Sequence, residues 1–407
     1  MNNKEEVEER VMREFNTCKQ LCLQLPTGIG KSLLAIKMLE KTNLDITNKD
    51  SGKQILLLVS ERAHMENWKE EFHKWGYDEL YKKCLIVTYA SLHKLSGSFS
   101  AVIADEVHHL CTENRLSLIV NISFPVFIGL SATVGRDRFR MLQSLYPKMK
   151  MLSMSLQKAI DENILPDPQI FAIPMRLDNQ ILSQEIVKVR GRKDKRRVVE
   201  CTMNEMWSYM KNKGIFPDLE LHVKCTELQK YQDINDCWQY WKNKYMLSRQ
   251  EFMKNKWLIA GTQRKRYLGE LKTAKVKKFI KDIIRKDERF ICFCTSINQQ
   301  KRLAGEENYI NSELKDCQER INSFNKGKFN SLYCVGMAQE GLNLVNVPTG
   351  IIIQLDSELR RFIQKTGRLL RAANPIIFIF YYEDTRDEEF LTKVGEMLSG
   401  KIERVDL

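Results

Sequence analysis

The sequence predicts an α/β protein of two tandem lobes, each a parallel sheet flanked by helices, with a mostly helical insertion between them. Three observations carry that expectation. Short apolar runs alternate with helical periodicity over residues 1–168, and the same rhythm returns over 271–407. The stretch 169–270 breaks the rhythm and holds four of the six tryptophans, Trp207, Trp238, Trp241 and Trp257. A glycine-bearing turn joins the first apolar run to the first amphipathic helix, the arrangement of a phosphate-binding strand–loop–helix.

In the first lobe the strand candidates are Gln20–Leu25, Gln54–Val59, Lys83–Val87, Ala101–Ala104 and Val126–Leu130, with helical stretches at Leu33–Glu40 and Arg62–Trp75. The middle favours helix over Glu227–Trp257. It also carries the basic run Lys188, Arg190, Arg192, Lys193, Lys195, Arg196 and Arg197, which suits either phosphate contact or a solvated loop. Its tryptophans suit either a helical core or base stacking, core being the commoner use. In the second lobe the strands are Phe290–Cys294, Ser331–Val335, Gly350–Leu355 and Ile376–Tyr381, and the helices Ala274–Arg285 and Leu359–Leu370.

Bulk properties narrow the function classes. The chain of 407 residues is 43% hydrophobic, ordinary for a globular protein. It has no apolar run of membrane-spanning length, and its N-terminus is polar and acidic, so neither a membrane span nor a secretory signal is expected. A net charge of +13 points to a polyanionic partner, most simply nucleic acid. The 11 cysteines include no Cys-x-x-Cys pair and read as reduced thiols of an intracellular protein.

The chemistry-bearing stretch is Pro26-Thr27-Gly28-Ile29-Gly30-Lys31-Ser32. Glycines let backbone N–H groups curl around a phosphate, Lys31 reaches the β/γ-phosphates, and Ser32 supplies an oxygen for Mg²⁺. Downstream, the apolar run Ala101–Ala104 ends in Asp105-Glu106-Val107-His108. Ligands of doubly wound sheets sit at the carboxyl ends of strands, so Asp105 is expected beside the loop as a metal carboxylate, with Glu106 as the acceptor of a water proton.

Asp105-Glu106-Val107-His108 resembles the Asp-Glu-x-His signature of superfamily 2 helicases and translocases, and the resemblance continues in the family's order. Leu57-Leu58-Val59-Ser60, followed by Asn67-Trp68-Lys69-Glu70-Glu71, looks like the first strand-contact motif and its helix. Val87-Thr88-Tyr89-Ala90-Ser91-Leu92 resembles the next, and Ser131-Ala132-Thr133 the motif coupling nucleotide to nucleic acid. Phe293-Cys294-Thr295-Ser296 and Gln339-Glu340-Gly341-Leu342-Asn343-Leu344 resemble the fourth and fifth motifs. Gln364-Lys365-Thr366-Gly367-Arg368-Leu369-Leu370-Arg371 matches the sixth.

The resemblance implies two RecA-like P-loop NTPase lobes that bind ATP and Mg²⁺ between them and hydrolyse ATP to move on nucleic acid. It implies catalytic roles for Lys31, Asp105, Glu106, Gln364, Arg368 and Arg371, and a nucleotide cradle of residues 26–32 with Gly341. Ser32 and Asp105 would serve the metal, and His108, Ser131, Ala132 and Thr133 the coupling. Nucleic-acid contacts would come from Ser60, Glu61, Arg62, Thr88, Tyr89, Thr295, Ser296 and Gln339. Two arginines three apart share a helix face and suit charge on a transferring phosphoryl group. Gln20 lies too close to the loop to serve as the adenine-reading glutamine of many members. His108 and the Asn67-Trp68 and Thr88-Tyr89-Ala90-Ser91 segments resemble the DNA-acting branch. An RNA helicase, or a nucleotide-gated subunit of a larger complex, remains the alternative.

Overall fold

The structure, a computed structural model, describes residues 3–42, 54–212, 215–285, 287–335, 344–356 and 359–406. It divides into two units. One comprises Met1–Ala172, Ile284–Ile379 and Phe390–Val405, and the other Ile173–Ile283, Phe380–Glu389 and Asp406–Leu407.

Helix α1 (Asn3–Cys18) leads into β1 (Gln20–Gln24), the glycine turn and α2 (Lys31–Glu40). There follow β2 (Ile55–Val59), α3 (Arg62–Lys74), α4 (Asp78–Lys82), β3 (Cys84–Thr88), β4 (Gly97–Ser98) and β5 (Ala101–Asp105). The first lobe continues through α5 (Glu113–Ile119), β6 (Ile122–Ser123), β7 (Val126–Ser131), α6 (Arg136–Leu145), β8 (Lys150–Ser153) and α7 (Leu156–Asp161). Its main sheet has the order β3-β2-β5-β7-β1-β8, with every described pairing parallel.

Parallel strands are covered on both faces, which is why they read as unbroken apolar runs. Alternate residues then serve two cores. Ile55, Leu57 and Val59 join Leu21, Leu23, Ala101 and Ile103 on one face. Leu56 and Leu58 join Cys22, Val102 and Ala104 on the other. Gln24 pairs with Ser131 and Asp105 with Leu130, so β1, β5 and β7 end level at one edge of the sheet.

Past the first lobe, β9 (Gln169–Met175) joins the sheet of the second lobe rather than the insertion. The insertion holds β10 (Ser183–Val189), β11 (Arg192–Thr202), α8 (Met203–Lys211), β12 (Pro217–Cys225), α9 (Glu227–Ser248) and α10 (Glu251–Leu271), and α11 (Thr273–Asp282) follows it. It is mostly helical, as expected, but it also builds a three-stranded sheet of order β10-β12-β11 that the sequence did not announce. The basic run is therefore mostly strand: it covers the end of β10, the turn at 190–191 and the first half of β11, whose remainder, Arg197–Thr202, pairs in parallel with β12. Charge hid the strand, because its apolar partners Leu219, Leu221 and Val223 lie on β12.

The expected helix 227–257 is two helices. Thr226 and Gln229 close a capping box at the start of α9, and Arg249 takes a left-handed conformation (φ 55°) that ends it. Trp238, Trp241 and Trp257 pack between the two helices, whereas Trp207 lies on α8, 39% exposed. Trp238 lies 6.3 Å from Trp257, Tyr245 stacks on Trp257 at 5.6 Å, and the Arg264 guanidinium sits 3.8 Å over Trp238. At the base of the hairpin Lys272 and Asp387 form a fully buried ion pair of 2.6 Å.

The second lobe comprises β13 (Phe290–Cys294), α12 (Ile297–Leu303), β14 (Tyr309–Ile310), α13 (Cys317–Asn325), β15 (Ser331–Val335), β16 (Thr349–Ile352), α14 (Leu359–Leu369), β17 (Ile376–Tyr382), α15 (Arg386–Met397) and β18 (Glu403–Arg404). Its sheet runs β14-β15-β13-β16-β17-β9-β18. Among the described residues no helix is long and apolar enough to cross a membrane.

Candidate nucleotide site

Gly28 and Gly30 both take φ of 100°, a left-handed value that suits glycine and curls the loop after β1. Gly30 caps α2 with no side-chain partner, and a Cβ built on it meets nothing within 4 Å. The space beside Gly30, at the positive end of the α2 dipole, is open. The Lys31 ammonium donates to the carbonyls of Leu25 (3.0 Å) and Pro26 (3.4 Å) and lies close enough to bias the carboxyls of Asp105 and Glu106. Loop, lysine and acid pair thus converge at the ends of β1 and β5. Backbone N–H groups, an ammonium, and the oxygen donors of Ser32 and Asp105 form the donor set that a polyphosphate with a hard divalent cation requires.

The acids are held by a network. Asp105 Oδ1 accepts from the Glu106 N–H (3.0 Å), and its Oδ2 accepts from the indole N–H of Trp68 (2.9 Å). The Tyr89 hydroxyl donates to the Asp105 carbonyl at 2.7 Å. Glu106 sits in a left-handed conformation (φ 47°, ψ 54°), which costs a non-glycine residue about 1–2 kcal/mol. Its side chain is fixed by Ser131 Oγ (3.1 Å) and by His108 Nδ1 (3.3 Å). Ser131 Oγ also lies 3.0 Å from His108 Nδ1 and accepts from the Thr133 N–H at 3.1 Å. Two acceptors facing Nδ1 favour the tautomer protonated there.

These surroundings push the two acids apart. Burial, reinforced by the charge of Glu106, raises Asp105 above the usual carboxylate range. Burial also acts to raise Glu106, but the hydrogen bonds of His108 and Ser131 and the charge of Lys31 outweigh it and hold Glu106 low. Glu106 is the firmly ionised member, and paired titratable groups driven apart in this way divide labour.

The sixth motif lies against the loop. A Cβ on Gly367 would fall 2.5 Å from Thr27 Cβ and 3.0 Å from its carbonyl oxygen, and the Gly367 carbonyl stands 3.5 Å from where Gly28 would carry one. Gln364 and Arg368 belong to the same helix, α14. Arg371 lies past the end of α14, so the two arginines do not share one helix face as expected; burial pulls the Arg371 guanidinium down, and Glu71 of α3 acts against that shift.

The remaining expected residues distribute as follows. Ser60 Oγ is 3.1 Å from His64 Nδ1, Glu61 caps α3, and Arg62 opens α3 exposed. Thr88 Oγ1 faces Ser91 Oγ at 3.2 Å. Tyr89 is a correction. It is 3% exposed, and its hydroxyl is used on Asp105, so the side chain anchors the acid pair instead of meeting a strand. Thr295 is half-buried and Ser296 caps α12 through the Gln299 N–H. Pro26 and Ile29 are buried under the loop, and Ala132 under the coupling motif. Gln339 and Gly341 lie outside the described residues. Sequence reasoning missed Gln24, whose Oε1 accepts from the Val134 N–H (2.9 Å) and ties β1 to the Ser-Ala-Thr turn. It also gave no role to Trp68, although the residue stood inside a quoted motif.

The fold and this site define a nucleoside-triphosphate hydrolase of the tandem RecA-like kind, and the chain belongs to superfamily 2 of the helicases and translocases. Residues 2–136 match the family described as type III restriction enzyme, res subunit, and residues 271–373 match the helicase conserved C-terminal domain. The chain is 22% identical over 374 residues to the DNA 3'-5' translocase XPB2 of Sulfurisphaera tokodaii, an alignment covering 87% of this chain and 75% of the relative. Its fold is similar to the Hef helicase domain of Pyrococcus furiosus (TM-score 0.51, 14% identity, 97% and 98% of the two chains covered). It is also similar to S. cerevisiae Dbp5 bound to RNA and ADP BeF3 (TM-score 0.59, 11% identity, 98% and 89% covered). At these identities the two structures show the fold alone.

Proposed function

We propose that the protein is an ATP-dependent DNA translocase or helicase that opens and closes its two lobes through each round of hydrolysis. The observation that carries this reading is the approach of Gly367 to Thr27, which brings the arginine-bearing helix of one lobe onto the phosphate loop of the other. The loop N–H groups and Lys31 bind and orient the triphosphate. Ser32 and Asp105 would hold Mg²⁺, which when bound offsets charge on the β/γ oxygens. Glu106, kept ionised by His108 and Ser131, takes the proton of the attacking water. Arg368 and Arg371 add positive charge from the second lobe.

DNA is preferred over RNA because the curated relative is named a DNA translocase and the res-subunit match covers the first lobe. Backbone contact suits a motor that must step without reading bases. Ser60, Glu61, Arg62, Thr88, Thr295, Ser296 and Gln339 are proposed for that contact, and the basic run 188–197 adds cations. The proposed division of labour is 1–168 as ATP-binding lobe, 169–270 as insertion apart from β9, which joins the second lobe's sheet, and 271–407 as second lobe. The test is ATP turnover against single-stranded DNA, duplex DNA and RNA, with triplex displacement to detect tracking. DNA should stimulate, and Lys31→Ala and Glu106→Gln should each abolish stimulated turnover. Stimulation by RNA alone, or full turnover in both variants, would overturn the reading.

A further inference from the structure

Trp68 is 3% exposed and sits in the packing between α3 and the sheet, 5.9 Å from Phe72. A phenylalanine would also place an aromatic ring in that packing, though a smaller one with no polar atom. An indole there buries an N–H that needs a partner, and the partner is Asp105 Oδ2 at 2.9 Å. The other carboxylate oxygen is taken by the backbone N–H of Glu106. The orientation of Asp105 is therefore set by two donors, one local and one supplied by a helix from elsewhere in the lobe.

One turn earlier on the same helix lies His64, 6% exposed. Its Nδ1 faces Ser60 Oγ at 3.1 Å, and the ring is near enough to act on Asp105 electrostatically. One turn later, Glu71 acts electrostatically on Arg371 of the second lobe. Residues three or four apart share a helix face, so α3 presents one line of contacts from Ser60 through His64 and Trp68 toward Glu71.

We infer that Trp68 is a positioning residue for the metal-ligating carboxylate of Asp105, and that α3 links the strand-contact residue Ser60 to the metal site through it. Partners of this kind orient first-ligand carboxylates, and their loss costs about ten- to a hundredfold in metal affinity. The inference rests on the reading of Asp105 as the Mg²⁺ ligand.

The variant is Trp68→Phe, which keeps an aromatic ring in place, at some loss of volume, and removes the N–H. Binding of a fluorescent ATP analogue is titrated with Mg²⁺ in wild type, W68F and Asp105→Asn. W68F should need about tenfold more Mg²⁺ for half-saturation and bind the analogue normally in EDTA. A packing role would lower thermal stability and leave the Mg²⁺ titration unmoved. A normal titration in W68F alongside a shifted one in D105N overturns the inference and leaves the site intact. A normal titration in D105N overturns the metal assignment itself. Should W68F not fold, wild-type protein labelled with ¹⁵N-tryptophan decides. One indole signal must move both on adding Mg²⁺–nucleotide and in D105N, and the absence of any such signal refutes the coupling.

Discussion

Gly367→Ala isolates the closing of the two lobes from everything else the sixth motif does. Carbon atoms in contact settle about 3.5–4.0 Å apart, whereas the new methyl would stand 2.5 Å from Thr27 Cβ, a shortfall of about 1 Å. The other close atoms are the Thr27 carbonyl oxygen at 3.0 Å and its Cα at 3.2 Å, so no rotamer change relieves the clash. Helix α14 must stand off from the loop by about that distance, carrying the arginines with it. A displacement of that size at a reacting centre costs about a hundredfold in rate, or about 2.7 kcal/mol of barrier. Glycine to alanine within a helix favours the helix by about 1 kcal/mol, so the melting temperature should hold or rise. The assay is DNA-stimulated ATP turnover beside a thermal melt. A variant that melts normally and turns over within a few-fold of wild type would refute the claim that this contact assembles the site.

Three further outcomes follow from the geometry. Ser131→Ala removes a hydroxyl donor to the charged Glu106, worth about 1.5–3 kcal/mol, so stimulated turnover should fall at least tenfold while analogue binding persists, by steady-state kinetics and fluorescence titration. Lys272→Met strands the fully buried Asp387 carboxylate and should destabilise the unit by about 3–5 kcal/mol in chemical denaturation, with much of the loss recovered in the Lys272→Met, Asp387→Leu double variant. Burial, aided by the neighbouring Cys111, pushes the Cys22 thiol up to about 12, so it stays protonated and unreactive through pH 9. Iodoacetamide on the native protein should mark only the half-buried Cys18, Cys237 and Cys317, read by peptide mass spectrometry.

The strands of the first lobe were legible because each is buried on both faces and so spells its own boundaries in apolar letters, as Ile55–Val59 does. The phosphate loop was legible because its left-handed positions demand glycine, and Gly28 and Gly30 supply it. The strand β11 was not. Its own residues are basic, and its reason for being extended lies in the partner strand β12. The break at Arg249 was equally hidden, since a left-handed arginine carries no glycine to mark it.

The sequence by itself determined the inventory of the site: a loop with Lys31 and Ser32, an acid pair at a strand end, and a distant arginine pair in the second lobe. Each is a local pattern that backbone geometry imposes on a few neighbouring residues. Only the tertiary structure decided how those pieces are held. It seated Gly367 on Thr27, turned Tyr89 inward onto Asp105, and placed the Trp68 indole on the same carboxylate. The physical reason is that contacts across tens of residues depend on sheet order and helix placement, and these follow from the packing of the whole lobe.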